Sequence, residues 1–274
     1  MTAIQYAHFD LQAAPFAKHI ADDELWLPPS KTELVDDLVA AVRERQSVLL
    51  VGDPGVGKTC VLRALRHRLG EAEFRLTYCH NATLGRRDFY RQLCVALNLT
   101  ASATAAALFY AVSTHVQELG RAAAHPTFVL DEAHLLHQDT LDHLHILLNY
   151  EWDSQPLLSL VMVGLSELVD RLTLRRNKSL YSRLFVRRRI EPLTPEDTAD
   201  YLRFRLERVG GDAGLFAHDA VGMLHEAASG SLRDVDRIAT ACLGEAAALN
   251  RKRVERDVVT RALAIEAHHR DLGA

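Results

Sequence analysis

The stretch that most constrains the fold is Val48-Leu49-Leu50-Val51 running straight into Gly52-Asp53-Pro54-Gly55-Val56-Gly57-Lys58-Thr59, the pattern G-x-x-x-x-G-K-T. The apolar run predicts a buried strand, and Cys60 to Arg66 behind the glycines predict a helix. A glycine-rich turn between strand and helix directs backbone N–H groups inward around a polyphosphate, at the positive end of the helix dipole. On this reading Gly52, Asp53, Pro54, Gly55, Val56, Gly57, Lys58, Thr59 and Cys60 bind the nucleotide, with ATP and Mg²⁺ as cofactors. Lys58 reaches the β- and γ-phosphates, and the Thr59 hydroxyl ligates Mg²⁺.

Strands and helices alternate through the first two thirds of the chain. The capping pattern Ser30-Lys31-Thr32-Glu33 opens an amphipathic helix carrying Leu34, Val35, Leu38, Val39 and Val42. Phe74 to Cys79, Thr127 to Leu130, Leu157 to Val163 and Val186 to Leu193 read as strands. Helices are predicted around 88–97 and 105–123. Strands separated by helices imply an α/β fold with a parallel sheet covered on both faces. From Thr194-Pro195 onward the pattern is helical only, over about 195–209, 217–228, 231–249 and 253–267. The domains are therefore expected as 1–193, leader plus α/β core, and 194–274, a small all-helical lid. The apolar leader residues Tyr6, Phe9, Phe16 and Trp26 either pack onto the body or line an adenine pocket.

Phe128-Val129-Leu130-Asp131-Glu132 is a buried strand ending in two carboxylates. Strand alternation sets Asp131 beside the Mg²⁺ held by Thr59, and Glu132 toward the γ-phosphate as the base that polarises water. His134, His137, His143 and His145 do not share one helical face, which argues against a zinc site. Residues 171–190 hold eight basic residues and no acid in a chain whose net charge is -4. That run serves phosphate in one of two ways, as an arginine offered to an adjoining subunit's nucleotide or as contacts to nucleic-acid backbone or an acidic partner.

An apolar fraction of 48% and a charged fraction of 25% are those of a globular chain. The longest apolar run, 157–165, is far short of the roughly 20 residues that span a bilayer. Cys60, Cys79, Cys94 and Cys242 lack C-x-x-C spacing and read as reduced thiols of a cytoplasmic protein without a membrane partner.

Together the P-loop, Asp131-Glu132, the fourth strand ending at Gly164-Leu165-Ser166-Glu167-Leu168, the Ser182-Arg183 step and Gly230-Ser231-Leu232-Arg233 resemble an AAA+ ATPase. With the leader Phe9-Asp10-Leu11-Gln12-Ala13-Ala14-Pro15-Phe16, they are similar to the ExeA/GspA-like group, which includes secretion-assembly ATPases and TniB/TnsC-type transposition regulators. The resemblance implies a three-layer αβα P-loop NTPase core with sheet order 5-1-4-3-2, and self-assembly into a ring or filament. It matches Arg183 to the arginine finger, Arg233 to the lid sensor and Ser166 to the strand sensor. The pattern departs at Leu165, where related sequences often place a polar residue.

Secretion-type members are expected to continue into a membrane helix, whereas this chain stops soon after the lid. The expectation is therefore an ATPase whose oligomerisation on duplex DNA regulates transposition through a transposase. The alternative is a secretion-assembly or protein-remodelling ATPase acting on a protein partner. Candidate DNA contacts are Asn81, Thr83, Arg86 and Arg87 after the second strand, and Arg175, Arg176 and Lys178 in the basic run.

Overall fold

The computed structural model describes residues 6–79, 83–100, 104–150 and 154–271. By internal contacts the chain divides into two compact units. One comprises Pro29–Asp53 and Lys58–Ile190; the other comprises the leader up to Pro28, Pro54–Gly57, and the chain from Glu191 onward.

The first unit runs α1 (Pro29–Arg43), β1 (Ser47–Gly52), α2 (Lys58–Arg68), β2 (Phe74–Cys79), α3 (Arg86–Ala96), α4 (Ala105–Arg121) and β3 (His125–Leu130). It continues with α5 (Gln138–Leu147), β4 (Ser159–Gly164), α6 (Glu167–Thr173), α7 (Lys178–Tyr181) and β5 (Leu184–Ile190). The sheet order is β2-β3-β4-β1-β5, and every paired strand is parallel. This is the order 5-1-4-3-2 that the resemblance implies. Every residue of β1, β3 and β4 is buried, as strands covered on both faces must be.

Alternation divides those strands between two layers. Leu49, Phe128, Leu130, Leu160 and Met162 pack with Phe89, Leu93, Leu108, Val112 and Val116 of α3 and α4. The opposite face carries Val48, Leu50, Val129 and Val161, all buried, and α1 and α2 pack against β1.

Several boundaries differ from expectation, each for a local reason. α1 starts at Pro29 and not at a Ser30 cap, because the fixed φ of proline suits the first helical position. β5 begins two residues early, where Leu184 pairs with Ser47. It ends at Ile190, before Pro192 can interrupt the ladder with its missing N–H. α5 is an element that the sequence reading did not assign.

The second unit holds α8 (Pro195–Glu207), α9 (His218–Ala228), α10 (Leu232–Ala248) and α11 (Arg256–Asp271). Thr194 caps α8 in a capping box with Asp197, and Pro195 occupies the first turn, as expected. The leader groups here and not with the α/β core to which its sequence position assigns it. Phe9, Leu11 and Phe16 join Leu202, Leu206, Phe216 and Val235 in one apolar cluster. Arg205, buried, donates to the Pro15 and Ala17 carbonyls at 2.6 Å each.

At the amino end of β3, His125 is 6% exposed and shares a 2.8 Å hydrogen bond with Ser159. Burial, with Arg45 nearby, lowers its pKa from 6.5 to about 4. The unfolded chain therefore protonates first, and the fold loses stability as pH falls through 6.5 toward 4. We expect a loss of about 1–2 kcal/mol between pH 7 and pH 5, read by denaturant unfolding, and a smaller loss in His125→Gln.

Candidate functional site

Parallel strands bring their carboxyl ends to one edge, and several of the expected site residues lie there. Gly52 closes β1, Asp131 and Glu132 follow β3, and Gly164 closes β4. The ladder pairs Val51 with Gly164 and Leu130 with Met162.

In the loop, Gly55 and Gly57 hold φ of +84° and +100°, which β-carbons disfavour. Val56 between them is buried and anchors the turn. Within the second unit Gly55 abuts Ser231 and Arg233: its carbonyl accepts from the Arg233 N–H at 3.3 Å, and a Cβ there would collide with the Ser231 hydroxyl. The Arg233 side chain itself is exposed.

Lys58 Nζ donates to the Gly52 and Asp53 carbonyls at 2.8 and 3.0 Å, so its ammonium lies at the carboxyl end of β1. Thr59 is exposed and Cys60 half-buried in the first turn of α2. The Thr59 hydroxyl and the Asp131 carboxylate are hard oxygen donors, and this donor chemistry fits Mg²⁺.

Asp131 is 8% exposed, with both oxygens engaged. Oδ1 accepts the Glu132 N–H at 2.9 Å and Oδ2 accepts the Tyr78 hydroxyl at 2.6 Å. Sequence reasoning missed Tyr78; the signal was its strand register opposite Val129, two residues before Asp131. Glu132 lies in the left-handed region, φ 52° and ψ 34°, which costs a non-glycine residue about 1 kcal/mol or more. The turn that follows is built to hold it there. Arg171 donates to the carbonyls of His134 and Leu136, the latter at 2.6 Å. The His134 ring stands 3.5 Å from Glu132 and 3.7 Å from Glu167, and its Nδ1 accepts the Leu165 N–H at 3.4 Å. Gly164 makes room for that ring, since a Cβ would lie 3.3 Å from Nδ1. His134 thus takes the contact at the end of β4 where a polar residue was looked for in place of Leu165. Ser166 begins the next turn, its buried hydroxyl without a hydrogen-bond partner among the described residues.

The basic run does not form the single phosphate-binding face that its composition suggested. Arg171 is spent on the turn; Arg176 pairs with Asp142 and Arg188 with Asp37; Arg187 lies 3.8 Å over the Tyr181 ring. Arg175 and Lys178 are exposed. Arg183 precedes Leu184, whose partner Ser47 starts β1, so it sits at the sheet edge opposite the P-loop. A groove of about 350 Å³ there is lined by Arg183, Arg45, Leu148, Leu158 and Phe185, the last 71% exposed. Thr83, Arg86 and Arg87 are exposed near the start of α3, and Asn81 lies outside the described residues.

Residues 42–172 match the family model described as AAA domain. The chain is 32% identical over 193 residues to general secretion pathway protein A of Aeromonas hydrophila, covering 70% of this chain and 35% of that protein. It thus spans about a third of that relative's length. Among solved structures it resembles Cdc6p of Pyrobaculum aerophilum (TM-score 0.68, 19% identity, 90% of this chain and 69% of that one). It also resembles Aeropyrum pernix ORC1 in complex with DNA (TM-score 0.66, 21% identity, 93% and 69%). A third is the Thermotoga maritima RuvB branch migration motor (TM-score 0.58, 17% identity, 92% and 73%). The fold is that of the P-loop AAA+ proteins. The AAA domain within it is an ATPase domain, with ATP and Mg²⁺ as its cofactors.

Arg171→Ala leaves two carbonyls of the 132–136 turn unpaired. We expect about 2 kcal/mol of lost stability in chemical denaturation. Single-turnover hydrolysis should slow, while ATP affinity measured by calorimetry changes little.

Proposed function

We propose that this chain is a GspA-like AAA+ ATPase that uses ATP to change its own assembly state and so acts on a protein partner. The observation that carries the reading is its 32% identity, over 193 residues, to a general secretion pathway protein. That likeness favours a protein-directed role over the control of transposition expected from the TniB/TnsC resemblance. We also propose a cytoplasmic location. Among the described residues no helix is long and apolar enough to cross a membrane, and the four cysteines stand outside disulfides.

In the proposed mechanism, loop N–H groups and Lys58 bind the phosphates, while Thr59 and Asp131 hold Mg²⁺. When bound, Mg²⁺ neutralises charge on the β- and γ-phosphate oxygens. Glu132 accepts a proton from the attacking water, giving ADP and phosphate. Its support is its fixed place: the left-handed backbone and the Arg171-braced turn orient the carboxylate before substrate arrives. Ser166 senses the phosphate from the end of β4, supported by its unpartnered hydroxyl. Arg233 acts from the lid, supported by the Gly55 contact of its backbone.

Arg183 serves the nucleotide of a neighbouring copy. Ser47 to Gly52 separates the two edges by about 17 Å of strand, beyond what an arginine spans to its own P-loop. The site is therefore complete only in an assembly.

Duplex DNA remains a second reading on one observation. Arg86 and Arg87 stand exposed in the first turn of α3, where positive charge opposes the helix dipole. Charge retained against a local cost suits a phosphate-binding role, shared with Thr83, Arg175 and Lys178.

Glu132→Gln is expected to bind ATP, hydrolyse it about 100-fold or more slowly, and accumulate oligomers in mass photometry. Wild-type turnover in that variant would place the base elsewhere. Duplex binding by the ATP-loaded variant, followed between about 50 and 200 mM salt, is expected to stay in the weak, non-specific range. Tight binding that requires ATP would replace the protein-directed reading with the DNA one. Arg183→Ala and Glu132→Gln, each inactive alone, should regain activity when mixed. Failure to complement would remove the arginine supplied in trans.

A further inference from the structure

The phenol that meets Asp131 comes from the outermost strand of the sheet. In β2 the side chains alternate, with Thr77 and Cys79 turned into the buried layer and Tyr78 onto the opposite face. Parallel pairing sets Tyr78 against Val129, so Tyr78, Val129 and Asp131 share one face, opposite the one on which α3 and α4 pack. The tyrosine ring spans the step from Val129 to Asp131, and its hydroxyl lands 2.6 Å from Oδ2. The Glu132 N–H holds Oδ1, so two donors fix the plane of this carboxylate. A phenylalanine would fill the same space and leave Oδ2 without its donor.

We propose that Tyr78 is a positioning residue for Mg²⁺: by its hydrogen bond it aims the Asp131 carboxylate that, on the ATPase reading above, receives the metal. Carboxylates that bind metals depend on such partners, whose removal commonly weakens metal affinity about 10- to 100-fold. Tyr78 is 49% exposed. Its outer face is open to solvent while its hydroxyl is committed to the site. It is the last but one residue before the segment leading to Thr83 and Arg86, so whatever displaces the ring changes the aim of the metal carboxylate.

The test is a titration of Mg²⁺ against binding of a non-hydrolysable ATP analogue by wild type, Tyr78→Phe, Asp131→Asn and the double variant, with parallel measurements in EDTA. Tyr78→Phe is expected to raise the Mg²⁺ midpoint about 10-fold or more and to leave the EDTA affinity unchanged. In the Asp131→Asn background the same substitution should add no shift, since the carboxylate it aims is gone. An unchanged midpoint in Tyr78→Phe overturns the inference. So does an equal shift in the Asp131→Asn background, which would mark a general structural role. Wild-type binding indifferent to Mg²⁺ would instead overturn the reading of the site itself. Tyr78→Phe removes a single oxygen, and matched thermal melting of the two proteins separates a lost aim from a lost fold.

Discussion

The parallel pairing of β1, β4 and β3 is the constraint on which the rest depends. Parallel strands share polarity, so the residues leaving each strand gather at one edge of the sheet. Gly52 and Lys58, the Asp131-Glu132 pair and Ser166 lie tens of residues apart in sequence and leave their strands at that same edge. The buried β1, β3 and β4 hold that edge in place, because slipping any of them by one residue would disrupt close packing on both covered faces. Rigidity is what a phosphate site needs, since its hydrogen-bond donors must already point at the charge when it arrives.

The pinned Asp131 and the left-handed Glu132 show how local strain is held. Glu132 would relax to an ordinary backbone conformation if its turn were loose. Arg171, donating to two carbonyls of that turn, keeps it from doing so. Arg171, counted in the basic run expected to serve phosphate, is instead a brace for the residue proposed to do the chemistry.

What the sequence made legible follows from how local the signals are. β1, the P-loop and the Asp131-Glu132 strand end are each written in fewer than a dozen adjacent residues, and the structure has them where the pattern indicates. The lid helices announced themselves by Thr194-Pro195 and by their apolar spacing. Local signals also competed: Ser30 offered a cap, and Pro29 took the helix start by its fixed φ. The fate of the basic run was not legible, because Asp37, Asp142 and the Tyr181 ring reach it only through the fold. Tyr78 escaped notice for the same reason. Its partner is 53 residues away, and only the register of β2 against β3 brings them together.

The leader that Arg205 grips has a consequence for how the protein is made. Pro15 and Arg205 are 190 residues apart. At synthesis rates of about 5–20 residues per second, the leader waits on the order of 10–40 seconds for its partner to exist. During that interval Phe9, Leu11 and Phe16 are apolar side chains whose partners Leu202, Leu206, Phe216 and Val235 have yet to be made. The α/β unit can close meanwhile from its own residues. The helical unit closes later, once the segment that carries Arg205 has been made to join the residues around Pro15.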